Sequence, residues 1–515
     1  MRAPPILLLL LLTTPPAWAA SVTDRAQEIR ALWVDAFHEG IRSPAEANRL
    51  VVEARAAHIN VLFVQVRRRG DSLYTKSIDP PLDDPAYDPG FDALAYIIDL
   101  AHREGIQVHA WLNATPAWQG TRPPRDPRHV FNQHGLSRKG AENWLTMTRK
   151  GEARFPAGYF LDPGHPAAAA YMTEVCLNVV RNYAVDGIHF DYIRYPETRD
   201  RSPRGASVGY NPVSLQRFRL AAGRNDVPEP GDEQWMAWRR DQVTQLVRRI
   251  YLEAKAAKPG IRVSAAAVAW GKPPTKESDF LDAVPGQKVF QDWHGWLKEG
   301  ILDLVVPMNY AREADPTVRR WFDGWIQWEK SHKHGRQLAV GIGAYLNSKE
   351  ANLAQIARAL EPGSGRRIDG VCFFSYANPF ASRHEALDAA TPIQSQATGP
   401  VKRMLYLSAG TVSDQGAFDQ PAPPAAGKER TLAQAGSDAA ETALSTHRAL
   451  IDPRIPLYGA GEPSPRGDAR GRGDGGINSG FLNLNPGKNG AVIEGSLPRR
   501  TVLDVDRSKV PRATL

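Results

Sequence analysis

One short stretch of the chain, Val185 to Pro196, holds the residues that are best suited to chemistry. Its alternation of apolar and polar residues predicts a buried strand, with Ile188 and Phe190 on one face and Asp191 on the other. The proline ends the strand, so Asp191 should point out of a strand end. In parallel α/β folds the loops after the carboxyl ends of the strands form the concave catalytic face. Asp191 is therefore the first candidate for a catalytic carboxylate; the alternative is an aspartate that only caps the next turn.

A second carboxylate is needed if the chemistry is glycoside hydrolysis. Such enzymes normally use two carboxyl groups: one gives a proton to the leaving oxygen, and the other attacks the sugar or activates water. Asp35 lies near the end of the first predicted strand and Asp71 lies in the loop after the second. Both are candidate catalytic partners of Asp191, and the choice between them stays open. Aspartates at the opposite strand ends are interpreted as structural: Asp186, Asp303 and Asp369.

The candidates for substrate contact share a polar or aromatic side chain close to a predicted strand end: Gln65, Arg67, His109, Trp111, Asn113, His189, Tyr192, Asn309 and Tyr310. Strand alternation puts Gln65 and Arg67 on one face of the second predicted strand, so both should line the barrel mouth. Arg67 could bind a carboxylate such as a lactyl or uronate group, or it could hold Asp191 or Asp71 ionised. Aromatic rings at such positions suit sugars, because sugars present apolar C–H faces that stack on them.

Extended apolar segments alternate with helical ones through the first three quarters of the chain. Eight segments are predicted strands: Ala31–Phe37, Asn60–Arg67, Gln107–Asn113, Val185–Asp191, Arg262–Trp270, Leu302–Tyr310, Gln337–Tyr345 and Gly370–Tyr376. Without an antiparallel hairpin signal between them, they predict one α/β domain, a (β/α)8 TIM barrel over residues 28–390, with long loop insertions on a core of about 250 residues. The largest insertion, 114–164, is rich in Pro, Arg and Trp. Its rings could stack on a glycan or simply pin a long loop to the barrel.

The two ends of the chain differ from this barrel segment. Residues 1–19 combine a basic Arg2, an apolar run over 6–12 and a small-x-small end at Ala19, which predicts a cleaved signal peptide. No cysteine follows to carry a lipid anchor and no later run is long enough to cross a bilayer. We therefore predict a periplasmic or secreted protein without an integral membrane segment. Residues 391–515 lack Trp and Cys and are locally rich in Pro and Gly, which predicts a low-complexity, largely disordered tail.

The charge of the chain restricts its partners. The formal net charge is +8 over 515 residues. This excess is mild and scattered and does not form the basic footprint of a nucleic-acid-binding protein, so we predict no nucleic-acid partner. A modest positive charge favours an anionic polymer such as a wall or capsular glycan. A polysaccharide is therefore the predicted substrate.

Several motifs occur together in one order: Ile29–Val34, Val64–Arg67 followed by Gly70–Tyr74, His109–Asn113, Asp186–Tyr192, Gln291–Trp293 and Val306–Tyr310. On these residues the segment from roughly Glu28 to Phe380 resembles the bacterial glycosyl-hydrolase-like 10 family, also known as domain of unknown function 187. The resemblance implies an exported TIM-barrel glycosidase. It also implies, through a characterised member that acts at the division site, the cleavage of peptidoglycan glycan strands that have lost their stem peptides.

A weaker likeness links two of these motifs to chitinase-type barrels. Those barrels carry D-G-x-D-x-D-x-E on the fourth strand and M-x-Y-D on the sixth, whereas this chain has Asp186 to Ile193 and Met308 to Ala311. The final acid of the first motif is missing, so the chitinase mechanism does not transfer directly. Asp191 and Tyr310 could still hold an N-acetyl group, which would allow substrate-assisted hydrolysis with fewer protein carboxylates.

Two other functions stay open on the sequence. His109, His189 and Asp191 on neighbouring strands could bind a metal and make a metal-dependent polysaccharide hydrolase or deacetylase. The only H-x-H pair, His332 and His334, lies in a Lys-rich segment before the seventh predicted strand. Because inward histidines more often bind substrate or core groups, we predict no metal and no other cofactor. A non-catalytic glycan-binding barrel is the second alternative, since the second carboxylate is unassigned.

Overall fold

The computed structural model describes residues 28–199, 204–362 and 367–377. These residues form ten strands: β1 (Ile29–Val34), β2 (Val61–Arg67), β3 (Gln107–Asn113), β4 (Pro116–Trp118), β5 (Tyr159–Phe160), β6 (Gly187–Asp191), β7 (Arg262–Val268), β8 (Leu304–Met308), β9 (Gln337–Gly343) and β10 (Gly370–Phe374). The predicted signal peptide, the predicted tail over 391–515 and the end of the predicted barrel domain, 378–390, lie outside the described residues.

Eight of the strands, all except β4 and β5, close into one parallel barrel. They pair in chain order around the ring, and β1 pairs with both β2 and β10 to complete it. The predicted (β/α)8 TIM barrel is confirmed. The carboxyl ends of all eight strands meet at one end of this barrel, which is called the mouth below.

Strands β4 and β5 form an antiparallel pair inside the insertion 114–164. The sequence prediction did not contain this hairpin. The two strands are three and two residues long, too short for an alternating pattern to register.

Ten α-helices lie among the described residues: α1 (Pro44–Ala56), α2 (Ala93–Arg103), α3 (Val130–His134), α4 (Pro166–Asn182), α5 (Pro212–Ala222), α6 (Glu233–Ala257), α7 (Val284–Gln287), α8 (Trp293–Glu299), α9 (Pro316–Ser331) and α10 (Lys349–Leu360). Four of them begin with a proline after a residue whose side chain accepts a backbone N–H: Ser43, His165, Asn211 and Asp315. No described helix has the length and apolar character that crossing a membrane would require.

Large side chains fill the barrel interior below the mouth. The rings of Trp33 and Phe63 lie 6.1 Å apart, and Phe63 stacks on His189 at 4.0 Å. Gly341 makes room for this layer, because a Cβ there would lie 2.8 Å from the Trp33 ring and 2.6 Å from the carbonyl oxygen of Pro307. The mouth therefore has a packed floor, as TIM barrels have a core rather than a pore.

Three aspartates fix the opposite edge of the barrel. Asp186, Asp303 and Asp369 each accept a backbone N–H from a neighbouring strand, at 2.8 to 2.9 Å. Each of them precedes a strand and ties its start to the adjacent strand. This placement agrees with their structural interpretation from the sequence.

Candidate active site

Asp191 is the last residue of β6 and lies at the mouth with 7 % of its surface exposed. Its Oδ1 accepts the N–H of Tyr192 at 2.6 Å and Nη1 of Arg194 at 3.2 Å. Burial raises the pKa of Asp191 against the lowering effect of Arg194, and the negative charge of Glu197 adds to the rise. A carboxyl group with a raised pKa keeps its proton to higher pH, which is the property that a general acid needs.

Arg194 bridges Asp191 to a second carboxylate, Glu197. Its Nη2 donates to Oε1 of Glu197 at 3.2 Å while its Nη1 binds Asp191. The guanidinium is buried and lies 4.1 Å from the ring centroid of Tyr192 and 5.4 Å from that of Trp270. Asp191 and Glu197 are therefore neighbours that share one guanidinium, and glycoside hydrolysis normally uses a pair of carboxyl groups.

Glu197 was not among the candidates from the sequence. It lies in the loop after β6, where no strand periodicity points to a residue. The only signal in the sequence is the three-residue spacing of Asp191, Arg194 and Glu197, which becomes meaningful once the loop geometry is known.

The backbone of Tyr192 has a positive φ of 49°. This region is costly for a residue with a large side chain, and such strain clusters at functional sites. Here the turn directs the Tyr192 N–H at Asp191 and places the tyrosine ring against Arg194. The strained residue therefore orients both charged groups of the candidate site.

Aromatic rings line the same end of the barrel. The rings of Trp111 and Tyr310 lie 6.4 and 5.5 Å from that of Phe374. The indole N–H of Trp111 donates to Oδ1 of Asn113 at 2.9 Å, which fixes the indole plane. Burial raises the pKa of Tyr310, and the charge of Asp191 adds to this, so the two side chains are close enough to interact. The arrangement offers sugar rings a stacking surface next to the carboxylate.

Asp35 lies just after β1, at the rim of the mouth. Its Oδ1 accepts the backbone N–H of Phe37 at 3.0 Å and interacts with Nδ1 of His38 at 2.7 Å. Its Oδ2 accepts the hydroxyl of Ser375, which follows β10, at 3.2 Å. Both oxygens thus hold the loops that follow β1 and β10, and Asp35 has fewer free lone pairs to offer a substrate than Asp191.

Asp71 is fully buried and acts as an anchor for the loop after β2. It accepts Nη2 of Arg68 at 2.7 Å and the backbone N–H groups of Arg69 and Asp83 at 3.1 Å. Burial works to raise the pKa of Asp71, but the charge of Arg68 and these hydrogen bonds outweigh it and lower the pKa. A fully buried carboxylate held by these contacts has no free face for a substrate, so the structure favours an anchoring role for Asp71 over the predicted catalytic one.

Arg67 does not share a face with Gln65, contrary to the prediction from strand alternation. The register of β2 against β3 shifts between these two residues, which puts Arg67 opposite Leu112. Its buried guanidinium donates to Oδ2 of Asp79 at 2.7 Å and lies 5.9 Å from the ring centroid of Tyr171 on α4. Arg67 is therefore a structural residue outside the mouth, and it pairs with neither of the aspartates proposed from the sequence.

The two barrel histidines lie in the packed interior rather than at the mouth. In His189, Nε2 accepts the indole N–H of Trp33 at 3.0 Å and Nδ1 pairs with the hydroxyl of Ser264 at 2.9 Å. A neutral imidazole has one lone pair, and Trp33 uses it, so His189 has none left for a metal. His109 is also fully buried, and burial lowers its pKa to about 4. These positions favour a role in the packed interior over the predicted substrate contact, and His189 has no free lone pair for a metal shared with Asp191.

Gln65 and Asn309 hold neighbouring elements in place. Oε1 of Gln65 accepts the N–H of Ala36 at 2.9 Å, which positions the loop after β1. Nδ2 of Asn309 donates to Oε1 of Glu329 on α9 at 3.0 Å. Both side chains are buried, and the contact with Glu329 shows that Asn309 points toward α9. These contacts favour a supporting role for Gln65 and Asn309 over the predicted contact with substrate.

The aromatic residues of the insertion 114–164 pack on the protein itself. Trp144 stacks on His134 with ring centroids 3.4 Å apart and lies 5.9 Å from Tyr171 of α4. The indole N–H of Trp118 donates to the carbonyl oxygen of Arg122 at 2.7 Å. These contacts favour the interpretation in which the rings pin the loop to the barrel.

Arg69, in the loop after β2, lies beside the mouth and forms no salt bridge with a described carboxylate. Its guanidinium is 4.7 Å from the ring centroid of Phe37, which is 41 % exposed. Burial, followed by the charge of Arg68, lowers the pKa of Arg69 to about 10, and the charge of Asp71 and then Tyr192 oppose the shift. A cation with this environment is suited to binding an anionic group that arrives with a substrate.

Known proteins are similar to this chain in sequence. Glycosyl hydrolase DigH of Escherichia coli (strain K12) is 29 % identical over 289 residues, 52 % of this chain and 59 % of that protein. Glycosyl hydrolase YngK of Bacillus subtilis (strain 168) is 25 % identical over 354 residues, 64 % of this chain and 63 % of that protein. This chain thus spans less than two thirds of either relative's length.

Among solved structures, the PgaB (BpsB) glycoside hydrolase domain from Bordetella bronchiseptica aligns with a TM-score of 0.49 and 15 % identity, over 72 % of this chain and all of that domain. The glycosyl hydrolase-like 10 family matches residues 28–354, which include every barrel strand except β10. Because this match covers more than half of the sequence, the chain belongs to the glycosyl hydrolase-like 10 family.

Proposed function

We propose that the chain is an exported glycoside hydrolase that cleaves bacterial cell-wall glycan, with peptidoglycan strands stripped of their peptides as its substrate. The observation that carries the proposal is the pair of carboxylates, Asp191 and Glu197, bridged by Arg194 at the mouth. Two curated relatives of the chain bear the name glycosyl hydrolase, which supports this class of reaction. The N-terminal sequence pattern supports export.

Asp191 is the proposed general acid. Its Oδ1 is occupied by Tyr192 and Arg194, whereas Oδ2 has no hydrogen-bond partner among the described residues and can face the glycosidic oxygen. The proton moves from Asp191 to that oxygen as the bond to the anomeric carbon breaks. Arg194 then stabilises the carboxylate that forms, because its guanidinium already touches Asp191.

Glu197 is the proposed second carboxylate. Its Oε1 forms an ion pair with Arg194, on the same guanidinium that contacts Asp191. In this proposal Glu197 attacks the anomeric carbon or accepts a proton from water, while Asp191 gives the proton to the leaving oxygen.

The place of Tyr310 after β8, with its ring against Phe374, favours a second route for an N-acetylated sugar. In this route the N-acetyl oxygen of the substrate attacks the anomeric carbon, and the protein needs only Asp191 as acid. The hydroxyl of Tyr310 would position the acetamide. The two routes differ in their need for Glu197, since the substitution Glu197→Gln would abolish the first and leave most of the second.

Arg69 supports the choice of a stripped strand. Removing a stem peptide breaks an amide at the lactyl group of the muramic sugar and leaves a free carboxylate. Arg69 forms no salt bridge with a described carboxylate and interacts electrostatically with Tyr192, so it can bind that carboxylate next to the reacting centre. The net charge of +8 adds a general attraction for an anionic polymer.

The test is digestion of a polysaccharide panel with products identified by mass spectrometry. The panel contains peptide-free and intact peptidoglycan, chitin, xylan and cellulose, each with the full chain and with Asp191→Asn. We expect soluble oligosaccharides from peptide-free strands only, and none from the variant. Cleavage of xylan or cellulose with no action on amino-sugar polymers would refute the substrate. Tight binding of strands without any product would point to a glycan-binding barrel instead.

Arg69 has a sharper test with a matched substrate. We expect Arg69→Gln to raise KM for peptide-free strands about tenfold or more, because a charge-assisted hydrogen bond is lost. Strands whose lactyl carboxylates have been reduced to alcohols should be cleaved equally well by both proteins. A similar loss on both substrates would show that Arg69 supports the fold of the mouth rather than the recognition of carboxylates.

A further inference from the structure

Two histidines and a glutamate from three separate segments meet on the outer side of the barrel. Glu277 belongs to the 3-10 helix Glu277–Asp282 after β7, His294 to the first turn of α8, and His334 to the turn before β9. The Nε2 atoms of His294 and His334 are 2.8 Å apart, and Oε1 of Glu277 is 3.7 Å from Nε2 of His294. One ligand atom from each residue lies within 4.8 Å of the other two.

We propose that Glu277, His294 and His334 bind a zinc ion. Two imidazole nitrogens and a carboxylate oxygen are ligands that zinc takes, and a water molecule would complete the tetrahedron. Each nitrogen would lie about 2.0–2.1 Å from the ion, so the two rings need to separate only slightly from their present contact. Softer or larger ions are less suited, because the site offers no thiolate and few oxygens.

Glu277 has a neighbouring cation but keeps lone pairs for an ion. Lys298 donates to Oε1 of Glu277 at 2.7 Å. A carboxylate has about four lone-pair sites, so Glu277 can hold Lys298 and an ion together.

The surrounding rings hold His294 in place. Its imidazole centroid lies 5.3 Å from that of Phe280 and 5.1 Å from that of Trp328. His332 stacks on Trp328 at 4.4 Å, and its Nδ1 donates to the Trp328 carbonyl oxygen at 2.7 Å. His294 is thus a packed, preorganised ligand position between two more exposed ligands, which lowers the entropic cost of binding.

The sequence has one H-x-H pair, His332 and His334, and predicts no metal there. The partner of His334 is instead His294, 40 residues earlier in the chain, and no local motif joins the two. His334 precedes the first residue of β9, at the end of the barrel opposite the mouth, whereas Glu277 lies in the segment that follows β7. The ion would join three segments of the outer layer, and its proposed role is structural.

The test uses the full chain without a polyhistidine tag, stripped with a chelator and titrated with zinc chloride by calorimetry. His334→Asn removes a ligand and keeps a residue type that tolerates the positive φ of 49° at this position. His58→Asn is the matched control, because His58 has a φ of 55° and lies outside the cluster. Glu277→Gln is a second variant, at an exposed residue that leaves the packing of His294 untouched.

We expect one zinc per chain in the wild type and in His58→Asn, and binding at least about 100-fold weaker in His334→Asn and Glu277→Gln. Zinc should raise the melting temperature of the first two proteins only, and cobalt should give them a tetrahedral absorption spectrum. Equal affinity in His334→Asn and the wild type, or no stoichiometric zinc in the wild type, would overturn the site. A glycan-cleaving activity that requires zinc would overturn its structural role.

Discussion

At the residue scale, Asp191 carries the strongest prediction. We expect Asp191→Asn to reduce turnover of cell-wall glycan by at least about 10²-fold, because general acid catalysis contributes about that much or more. The melting temperature should change little, since the amide oxygen can still accept from Tyr192 and Arg194, and the buried Arg194 keeps its ion pair with Glu197. Steady-state kinetics and thermal melts check both parts. Asp99→Asn, at an exposed aspartate of α2, is the control, and full activity in Asp191→Asn would remove it from the mechanism.

Individual residues of the site differ in how well the sequence predicts their positions. Asp191 is predictable because period-two alternation fixes which face of β6 it takes and proline marks the strand end. The direction of Arg67 is not predictable from the sequence, because a single shift of register within β2 moves its side chain to the other face. Glu197 is missed because a loop residue has no periodicity and its role depends on where Arg194 reaches.

At the scale of elements, an ionisable residue, Glu329, is buried where α9 packs on the barrel. Glu329 is fully buried; its Oε1 accepts from Asn309, and its Oε2 is without a partner among the described residues. Burial raises the pKa of Glu329 from 4.5 to about 8. The folded chain therefore holds a proton that the unfolded chain releases above about pH 4.5, so this group's contribution to stability falls as pH rises from there to about 8.

Glu329→Gln should remove this dependence, because the amide stays neutral at every pH. Relative to the wild type, the variant should gain stability steadily between about pH 4.5 and about 8, by on the order of a few kcal/mol at the upper end. Urea unfolding at several pH values measures the gain. Glu174→Gln, at a half-exposed glutamate of α4, should show no such trend. Parallel stability curves for Glu329→Gln and the wild type would contradict the raised pKa.

The contact between β8, β9 and the barrel interior gives a second test at this scale. Gly341→Ala should destabilise the chain by about 1–3 kcal/mol, because its Cβ would meet the Pro307 carbonyl oxygen and the Trp33 ring, neither of which can move freely. Gly260→Ala is the matched change, since a Cβ there meets no atom within 4 Å. It should be neutral or slightly stabilising. Chemical denaturation compares the two, and equal effects would show that the interior layer is loosely packed.

The elements also differ in how clearly the sequence predicts them. Barrel strands are buried on both faces, so they appear in the sequence as apolar runs. A proline that follows a capping residue predicts where a helix begins. The hairpin of β4 and β5 carries no such signal, because its form depends on pairing between residues more than 40 positions apart. The zinc cluster is hidden for the same reason, since His294 and His334 meet only through tertiary packing.

At the scale of the whole molecule, closure of the barrel decides which part of the chain folds alone. The pairing of β1 with β10 is the last link of the ring, and β10 ends at Phe374.

A chain shortened to end at residue 390 keeps every barrel strand, and we expect it to retain its melting temperature and its activity on peptide-free strands. A chain that ends at residue 361 lacks β10, leaves β1 and β9 with open edges, and should unfold or aggregate. Thermal melts and size-exclusion chromatography separate the two outcomes. If the chain ending at 390 failed to fold while the full chain folded, residues beyond 390 would be part of the domain, and the predicted boundary would be wrong.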